Sequence, residues 1–326
     1  MGIIFSVVFI YLSFKGADYN NILEGLKNLR LFYLLPASIL LFSQLPIRSI
    51  RLGLLLNPTE KLNQRLLFPI SCIGYMAITI LPIRIGELVR PFLIKTKSNV
   101  PFSSAFAAIV VDKFFDLFSL LCILFCIILT SSFPPWIIRG GLGLLFTFVI
   151  FFLFMLILYF RTDQCLRLVR PLFKKISEKN RSRIEDLVYN FVKGFKIISN
   201  PRMILYVLFL SLLNLLLCGL SVFSLFSLYN FDLSYTNALL VFIITIIGIN
   251  LPTAPGFMGN FQFSCIMALN IFNISKDEAL SFSMIYYFLV IGILILSGLF
   301  SLPFLKLSIK DIIQQIKKDI NLNFDK

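Results

Sequence analysis

Charged side chains interrupt a strongly apolar sequence in the stretch Leu81-Pro-Ile-Arg-Ile-Gly-Glu-Leu-Val-Arg90. Arg84, Glu87 and Arg90 follow an uncharged hydrophobic run, and charge at the edge of a bilayer-length segment is costly unless it is paired or lines a polar cavity. The proline and the glycine of this stretch break helices, and broken backbone at membrane depth is tolerated only inside protein or beside water. The stretch therefore predicts an interrupted helix that presents a charged site. The alternative is an interfacial loop whose arginines bind lipid headgroups.

Two more groups of charged residues lie inside apolar sequence. Arg48 and Arg51 are three residues apart and so share a helix face. Asp112 and Asp116 are four residues apart and also share a face, with Lys113 about a quarter of a turn away. Two carboxylates in apolar surroundings need cationic partners, or one of them must be protonated. The arginines at positions 48, 51, 84 and 90 are the candidate partners. The alternatives are arginines that snorkel to the membrane surface, and an ion-pair network that only joins helices.

A second interrupted helix is predicted at Leu251-Pro-Thr-Ala-Pro-Gly-Phe-Met-Gly-Asn-Phe-Gln262, within a long segment that carries no charge. Two prolines and two glycines cannot lie in a continuous lipid-facing helix. Pro255, Gly256, Gly259 and Gln262 are the candidate binding residues of this segment, because glycines would let backbone amides approach a ligand.

The two interrupted segments resemble each other. The pattern Leu-Pro-x-x-x-Gly occurs at 81–86 and again at 251–256, each time after an uncharged hydrophobic run. Interrupted segments at corresponding positions of two halves suggest a transporter with an internal repeat, whose binding site lies between the halves.

The composition is that of a polytopic membrane protein. Hydrophobic residues make up 58% of the chain and charged residues 14%, with a mean hydropathy of +0.91, whereas soluble domains carry about 25% charged residues. Ten of the 30 lysines and arginines lie in residues 161–196, and such clustering is typical of a cytoplasmic loop. The net charge of +14 therefore does not indicate a nucleic-acid partner. The chain has no histidine, no Cys-x-x-Cys pair and no nucleotide-binding loop. We therefore expect no metal, no other cofactor and no direct use of ATP.

The hydropathy pattern predicts an all-α, polytopic bundle in a bacterial-type inner membrane, with eight or nine membrane segments. Residues 1–304 form the membrane domain, with a basic cytoplasmic loop at 161–202, and residues 305–326 form an amphipathic cytoplasmic tail. Residues 1–14 are short for a full span, and residues 15–30 suit the membrane interface. The other predicted segments are 31–56, 66–83, 101–130, 139–160, 203–229, 235–252, 262–273 and 279–304.

These motifs resemble the lysylphosphatidylglycerol synthase transmembrane region, a flippase-like membrane domain of the UPF0104 kind. The resemblance covers nearly the whole chain and rests on Arg48/Arg51, Leu81-Pro-x-Arg-x-Gly-Glu-x-x-Arg90, Asp112-Lys-x-x-Asp116 and Pro252-x-x-Pro-Gly-x-x-Gly-x-x-Gln262 followed by Ala279-Leu280. The family more often has Glu-Arg-x-x-Asp at the third motif, and it often has glutamate where Gln262 stands. Larger relatives carry a soluble aminoacyl-transferase domain, and none is expected in residues 305–326. The resemblance therefore implies lipid transport between leaflets and does not imply the synthase activity.

Together, the resemblance and the motifs predict a non-enzymatic transporter that moves a polar lipid between membrane leaflets. The arginines would bind a phosphate, while Glu87, Asp112 and Asp116 would hold the arginines in place or contact a cationic headgroup. The expected partners are membrane lipids, either a phospholipid or a polyprenyl-phosphate-linked lipid, and a glycosyltransferase or lipid-modifying enzyme. Two alternatives stay open: a membrane-embedded transferase that uses the two aspartates with a metal, and a scaffold for an enzyme that acts on polyprenyl-phosphate-linked glycans.

Overall fold

The computed structural model describes residues 2–16, 18, 22, 26–27, 29–81, 86–130, 134–161, 189–192, 200–251 and 254–307. Within these residues there are helices and turns but no strand, so the all-α prediction is confirmed for them. Most of the predicted interface segment (15–30), the basic loop (161–202) and the amphipathic tail (305–326) lies outside the described residues. The helices are α1 Gly2–Phe14, α2 Leu34–Leu56, α3 Gln64–Ile80, α4 Val89–Lys97, α5 Phe102–Thr130, α6 Pro135–Phe160, α7 Pro201–Tyr229, α8 Tyr235–Ile249, α9 Asn260–Asn270 and α10 Lys276–Ser301.

Five of the described helices are long and apolar enough to cross a membrane, judged by length and composition: α2, α5, α6, α7 and α10. Helices α3 and α8 are apolar but shorter, with 17 and 15 residues, and a span needs about 20. Large apolar side chains such as Phe146, Phe160 and Phe209 are exposed on α6 and α7, as expected of helices that face lipid. The chain is therefore a multi-pass helical membrane protein, and the count of eight or nine segments stays a prediction.

The first predicted break is present. Helix α3 ends at Ile80 and α4 begins at Val89, with a 3-10 turn at 86–88 between them. A Cβ atom on Gly86 would overlap the backbone of Ala77 and Ile78. The chain therefore returns against the last turn of α3, where only glycine fits.

The second predicted break separates α8 from α9. A short 3-10 turn, Pro255–Phe257, lies between them, and the backbone takes the left-handed conformation at Gly256 (φ 74°), Phe257 (φ 60°) and Gly259 (φ 88°). Such angles stop a right-handed helix and favour glycine. The α9 helix begins at Asn260, two residues earlier than the sequence predicts.

Protein groups satisfy the broken backbone at this second break. The Ala254 amide donates to the Oγ of Ser6 at 2.7 Å, and the Gly259 amide donates to the Oε1 of Gln262 at 2.8 Å. A Cβ on Gly259 would approach the Ser6 carbonyl oxygen and Ile10, so α1 passes close to the break. Unsatisfied amides are costly away from water, and α1 and α9 remove that cost here.

The short helix α1 is also held at its other end. The Nζ of Lys276, at the start of α10, donates to the carbonyl oxygens of Leu12 at 2.9 Å and Lys15 at 2.6 Å. Phe9 stacks on Phe263 of α9 with ring centroids 4.7 Å apart. Helix α1 therefore packs on α9 and α10 along one side, although it has only 13 residues.

Contacts divide the chain into two compact units. The first consists of residues 1–48, 68–90 and 213–326, and the second of residues 49–67 and 91–212. In the first unit α9 packs against α1, α8 and α10, around a core that includes Phe226, Phe261 and Phe282.

In the second unit α5 packs against α6. The phenylalanine rings of the two helices interlock there, because Phe114 stacks on Phe148 with centroids 4.7 Å apart and on Phe152 at 5.5 Å.

Candidate functional site

Two arginines lie over one tyrosine ring in the first unit. The Cζ of Arg90 on α4 is 4.7 Å from the ring centroid of Tyr75 on α3, and the Cζ of Arg48 on α2 is 5.1 Å from it. The Nη1 of Arg90 also donates to the Tyr75 hydroxyl at 3.2 Å. A guanidinium over an aromatic face is attracted by the ring quadrupole, and most strongly where water is excluded. We call Arg48, Tyr75, Arg90 and the neighbouring Gln44 the arginine–tyrosine cluster.

This cluster is largely buried. Arg90 is only 1% exposed and Arg48 is half-buried. The stem of Arg90 lies against α3 at Gly74, where a Cβ would overlap its Cγ and Cδ atoms. Gln44 is 7% exposed and accepts from the Nη2 of Arg48 at 3.4 Å, while its own Nε2 has no hydrogen-bond partner among the described residues.

The chemistry of the cluster suits an anion. Two guanidiniums and an amide nitrogen bring N–H donors together in an apolar protein, and guanidinium matches the oxygens of a phosphate or carboxylate in a bidentate way. Arginines inside a membrane segment commonly mark a substrate path. The sequence singled out Arg48 and Arg90, and the structure brings these two together.

Both helix breaks lie beside the last turn of α3. Gly86 of the first break rests on Ala77 and Ile78, and a Cβ on Gly256 of the second would lie 3.8 Å from the Thr79 carbonyl oxygen and 2.9 Å from the Tyr287 hydroxyl. Thr79 is one helical turn beyond Tyr75. Both interrupted segments therefore contact α3 about one turn from the arginine–tyrosine cluster.

In the second unit, Arg51 forms ion pairs with two aspartates. Its Nε is 2.5 Å from Asp112 Oδ1 and its Nη1 is 2.5 Å from Asp116 Oδ1. Its Nη1 also donates to the Ser211 hydroxyl at 2.8 Å. The side chains of Arg51 and Asp112 are 0% and 2% exposed, whereas Asp116 is 39% exposed. This Arg51 cluster joins α2, α5 and α7.

The Arg51 cluster confirms that the two aspartates have a cationic partner, and it identifies that partner. The Arg51 side chain is fully buried against protein, so its charge is paired with carboxylates and is not exposed to lipid headgroups or water. Its contacts are those of an ion pair that joins helices, and a ligand-binding role for Arg51, Asp112 and Asp116 stays a prediction.

The other predicted site residues have varied surroundings. Gly259 and Gln262 cap α9 through their mutual hydrogen bond, so a capping role accounts for both without a ligand. Glu87 is half-buried before α4, Lys113 is exposed on α5, and Pro255 is exposed at the second break. Arg84 lies outside the described residues.

Sequence reasoning missed Tyr75, Gly74 and Gln44. No spacing rule links Tyr75 to an arginine fifteen positions later. One signal was present, because the chain has 37 phenylalanines and only 11 tyrosines. A tyrosine in an apolar segment of such a chain carries a hydroxyl that needs a partner.

Sequence comparison identifies relatives of this chain. A family model described as the lysylphosphatidylglycerol synthase TM region matches residues 1–298. The chain belongs to this family. It is also similar to a UPF0104 membrane protein of Methanocaldococcus jannaschii, with 26% identity over 208 residues, 64% of this chain and 85% of the relative. No solved structure matches the chain. Its resemblance to the lysylphosphatidylglycerol synthase transmembrane region is thus confirmed.

Proposed function

We propose that this chain moves an anionic, phosphate-bearing lipid between the leaflets of a bacterial-type inner membrane without altering it chemically. The observation that carries the proposal is the pair of arginines, Arg48 and Arg90, held on Tyr75 within an apolar helical protein. Guanidinium binds phosphate oxygens well, and its burial strengthens that attraction because the local dielectric constant is low.

The helix breaks support a transport role over simple lipid binding. Broken backbone near α3 supplies polar groups beside the arginine–tyrosine cluster, along which a headgroup can move while the acyl chains remain in the bilayer. The proposal includes eight or nine membrane segments and two halves related by the repeated Leu-Pro-x-x-x-Gly pattern. It also places the basic loop at 161–202 on the cytoplasmic side.

The contacts of the aspartates favour transport over the transferase alternative. A metal-dependent transferase would use the carboxylates of Asp112 and Asp116 as metal ligands. In the structure the Oδ1 atoms of both aspartates contact the Arg51 guanidinium. The guanidinium offsets one of the two negative charges, and a metal bound through the same Oδ1 atoms would have to displace this buried arginine.

A leaflet-exchange assay on proteoliposomes tests the proposal. Fluorescent phosphatidylglycerol, a polyprenyl-phosphate analogue and a phosphate-free diacylglycerol are compared, with the wild-type chain and with Arg90→Ala and Arg90→Lys. Arg139→Ala is the matched control, because Arg139 is an exposed arginine on α6. We expect exchange of one or both phosphate-bearing lipids, loss of exchange with Arg90→Ala, and partial activity with Arg90→Lys, which keeps the charge but loses bidentate geometry.

The outcomes separate the alternatives. Wild-type exchange that Arg90→Ala leaves intact would remove the arginine–tyrosine cluster from the transport path. Absence of exchange with every lipid, from protein that is folded and inserted, would contradict transport and favour the scaffold. Metal-dependent turnover of the polyprenyl-phosphate analogue would favour the transferase.

A further inference from the structure

We propose that Gly74 and Tyr75, adjacent residues of α3, are positioning residues that fix the Arg90 guanidinium for an anionic lipid headgroup. Gly74 makes room for the arginine stem and Tyr75 binds its charged end. The inference rests on the proposed function, because the phosphate of the transported lipid is the anion that Arg90 is positioned to bind.

Gly74 positions Arg90 sterically, by leaving room for its side chain. A Cβ at position 74 would overlap the Cγ and Cδ atoms of Arg90. The overlap is with the part of the side chain nearest the backbone, which has little freedom to move aside in a helix. Any residue larger than glycine would therefore push the Arg90 side chain away from α3, with the charge of the site unchanged.

Tyr75 positions Arg90 electrostatically, through a cation–π contact and a hydrogen bond. Tyr75 binds Arg90 in two ways, through its ring face and through its hydroxyl. The ring also binds Arg48, so the two Cζ atoms are at most about 10 Å apart. Two cations at such a separation repel each other where the dielectric constant is low, and the negative ring face offsets part of this repulsion.

Fixing the arginine in advance has a consequence for binding. A flexible arginine loses rotamer freedom when it binds a headgroup, and that loss weakens affinity. An arginine already held by Gly74 and Tyr75 loses little. Gly74 and Tyr75 therefore raise the affinity for the phosphate without adding a charge to the site.

Five variants separate the effects of Gly74 and Tyr75 on Arg90 from general effects on helix packing. Tyr75→Leu removes the ring and the hydroxyl, whereas Tyr75→Phe keeps the ring alone. Gly74→Ala displaces the Arg90 stem. The packing control is Gly298→Ala on α10, where the three atoms nearest to an added Cβ all belong to Met76 of the same α3 helix. The neutral control is Gly292→Ala, whose added methyl would meet open space.

The measurement is the rise in melting temperature when phosphatidylglycerol is added to purified protein in a neutral detergent, because a ligand that binds the folded state stabilises it. Diacylglycerol is the phosphate-free comparison. We expect the apparent affinity for phosphatidylglycerol to fall roughly tenfold or more in Tyr75→Leu and Gly74→Ala, the equivalent of losing a buried cation–π contact. Tyr75→Phe should fall by about threefold to tenfold, less than Tyr75→Leu, since it keeps the ring and loses only the hydrogen bond that the charged Arg90 guanidinium donates at 3.2 Å.

Leaflet exchange is measured on the same variants, so that the outcomes are distinct. The proposal is supported if Tyr75→Leu and Gly74→Ala lose affinity and exchange while Gly298→Ala keeps its affinity even where its melting temperature falls. It is overturned if the wild type exchanges phosphatidylglycerol and both Tyr75→Leu and Gly74→Ala bind and exchange this lipid as well as the wild type does. A wild type that neither binds nor exchanges any phosphate-bearing lipid would instead overturn the proposed function. If Tyr75→Leu does not fold, Gly74→Ala decides alone.

Discussion

The two aspartates that contact Arg51 should differ in their importance for stability. Asp112 is 2% exposed and Asp116 is 39% exposed, although each has an oxygen 2.5 Å from the same guanidinium. Removing one partner of a buried ion pair costs about 3–5 kcal/mol, whereas an exposed pair contributes about 0–1 kcal/mol. Asp112→Asn should therefore cost about 3 kcal/mol, since Asp116 still pairs with Arg51, and Asp116→Asn about 1 kcal/mol or less.

Thermal unfolding in detergent measures this difference. The chain provides its own probes, because Cys72, Cys218 and Cys265 are buried and become reactive to a fluorescent thiol dye when the protein unfolds. A change of 1 kcal/mol shifts the melting temperature of a protein of this size by about 2 °C. We expect Asp112→Asn to melt about 6 °C below the wild type and Asp116→Asn about 2 °C below it or less.

A double-mutant cycle between Arg51→Met and Asp112→Leu extends the test. Each single change leaves a buried charge with a poorer partner, while the double change removes the pair. The double variant should therefore lose about 1–3 kcal/mol less free energy of unfolding than the two single losses added together. Equal melting temperatures for Asp112→Asn and Asp116→Asn, or strict additivity in the cycle, would refute the reasoning from burial.

Three further predictions concern the second helix break and use the same melting assay. Gly259→Ala should lose about 2–4 kcal/mol, because alanine is strained at positive φ and its methyl would press on the Ser6 carbonyl oxygen; a wild-type melting temperature would contradict that close approach. Ser6→Ala should lose about 1–3 kcal/mol by leaving the Ala254 amide without its acceptor, and Ser6→Thr, which keeps a hydroxyl, is its control. Gln262→Ala should lose about 1 kcal/mol of capping while Gln262→Glu keeps an acceptor oxygen and stays near the wild type; equal losses in the two would show that the cap is unimportant.

Apolar patterning and helix breakers predicted the secondary structure well. The long apolar runs became helices within a few residues of their predicted limits, and both proline- and glycine-containing stretches interrupt the chain. These features are local, because a left-handed backbone conformation stops a right-handed helix. Proline alone does not end a helix here, since Pro46 lies inside α2 and Pro69 lies inside α3. The requirement that buried aspartates find a cation was also predicted, since it follows from charge alone.

Partner identity could not be predicted, because it depends on tertiary packing. Arg48 and Arg51 are three residues apart and share a face by helical geometry, yet they differ by about 60° around the axis and by about one turn along it. That offset is enough for Arg48 to stack on Tyr75 while Arg51 pairs with Asp112. Equally, the sequence could not show that Gly74, about two turns before the end of α3, makes room for the side chain of Arg90 beyond the break.

The departure from the family pattern at Gln262 also has a local explanation. The family often has glutamate there, and loss of a protonatable group would be a serious change at a transport site. In the structure the side chain accepts a hydrogen bond from the Gly259 amide. Glutamine and glutamate both supply that oxygen, so the cap requires an acceptor and not a charge.

The way α1 is held has a consequence for how the protein is made. Ser6 accepts from an amide 248 positions later in the chain, and Leu12 accepts from a lysine 264 positions later. A ribosome adds about 5–20 residues per second, so roughly 12–50 s pass between synthesis of α1 and synthesis of its partners. During that interval the insertion machinery or lipid must shelter a 13-residue apolar helix that is too short to span the bilayer. Helix α1 therefore reaches its final place only after the segments that hold it have been synthesised.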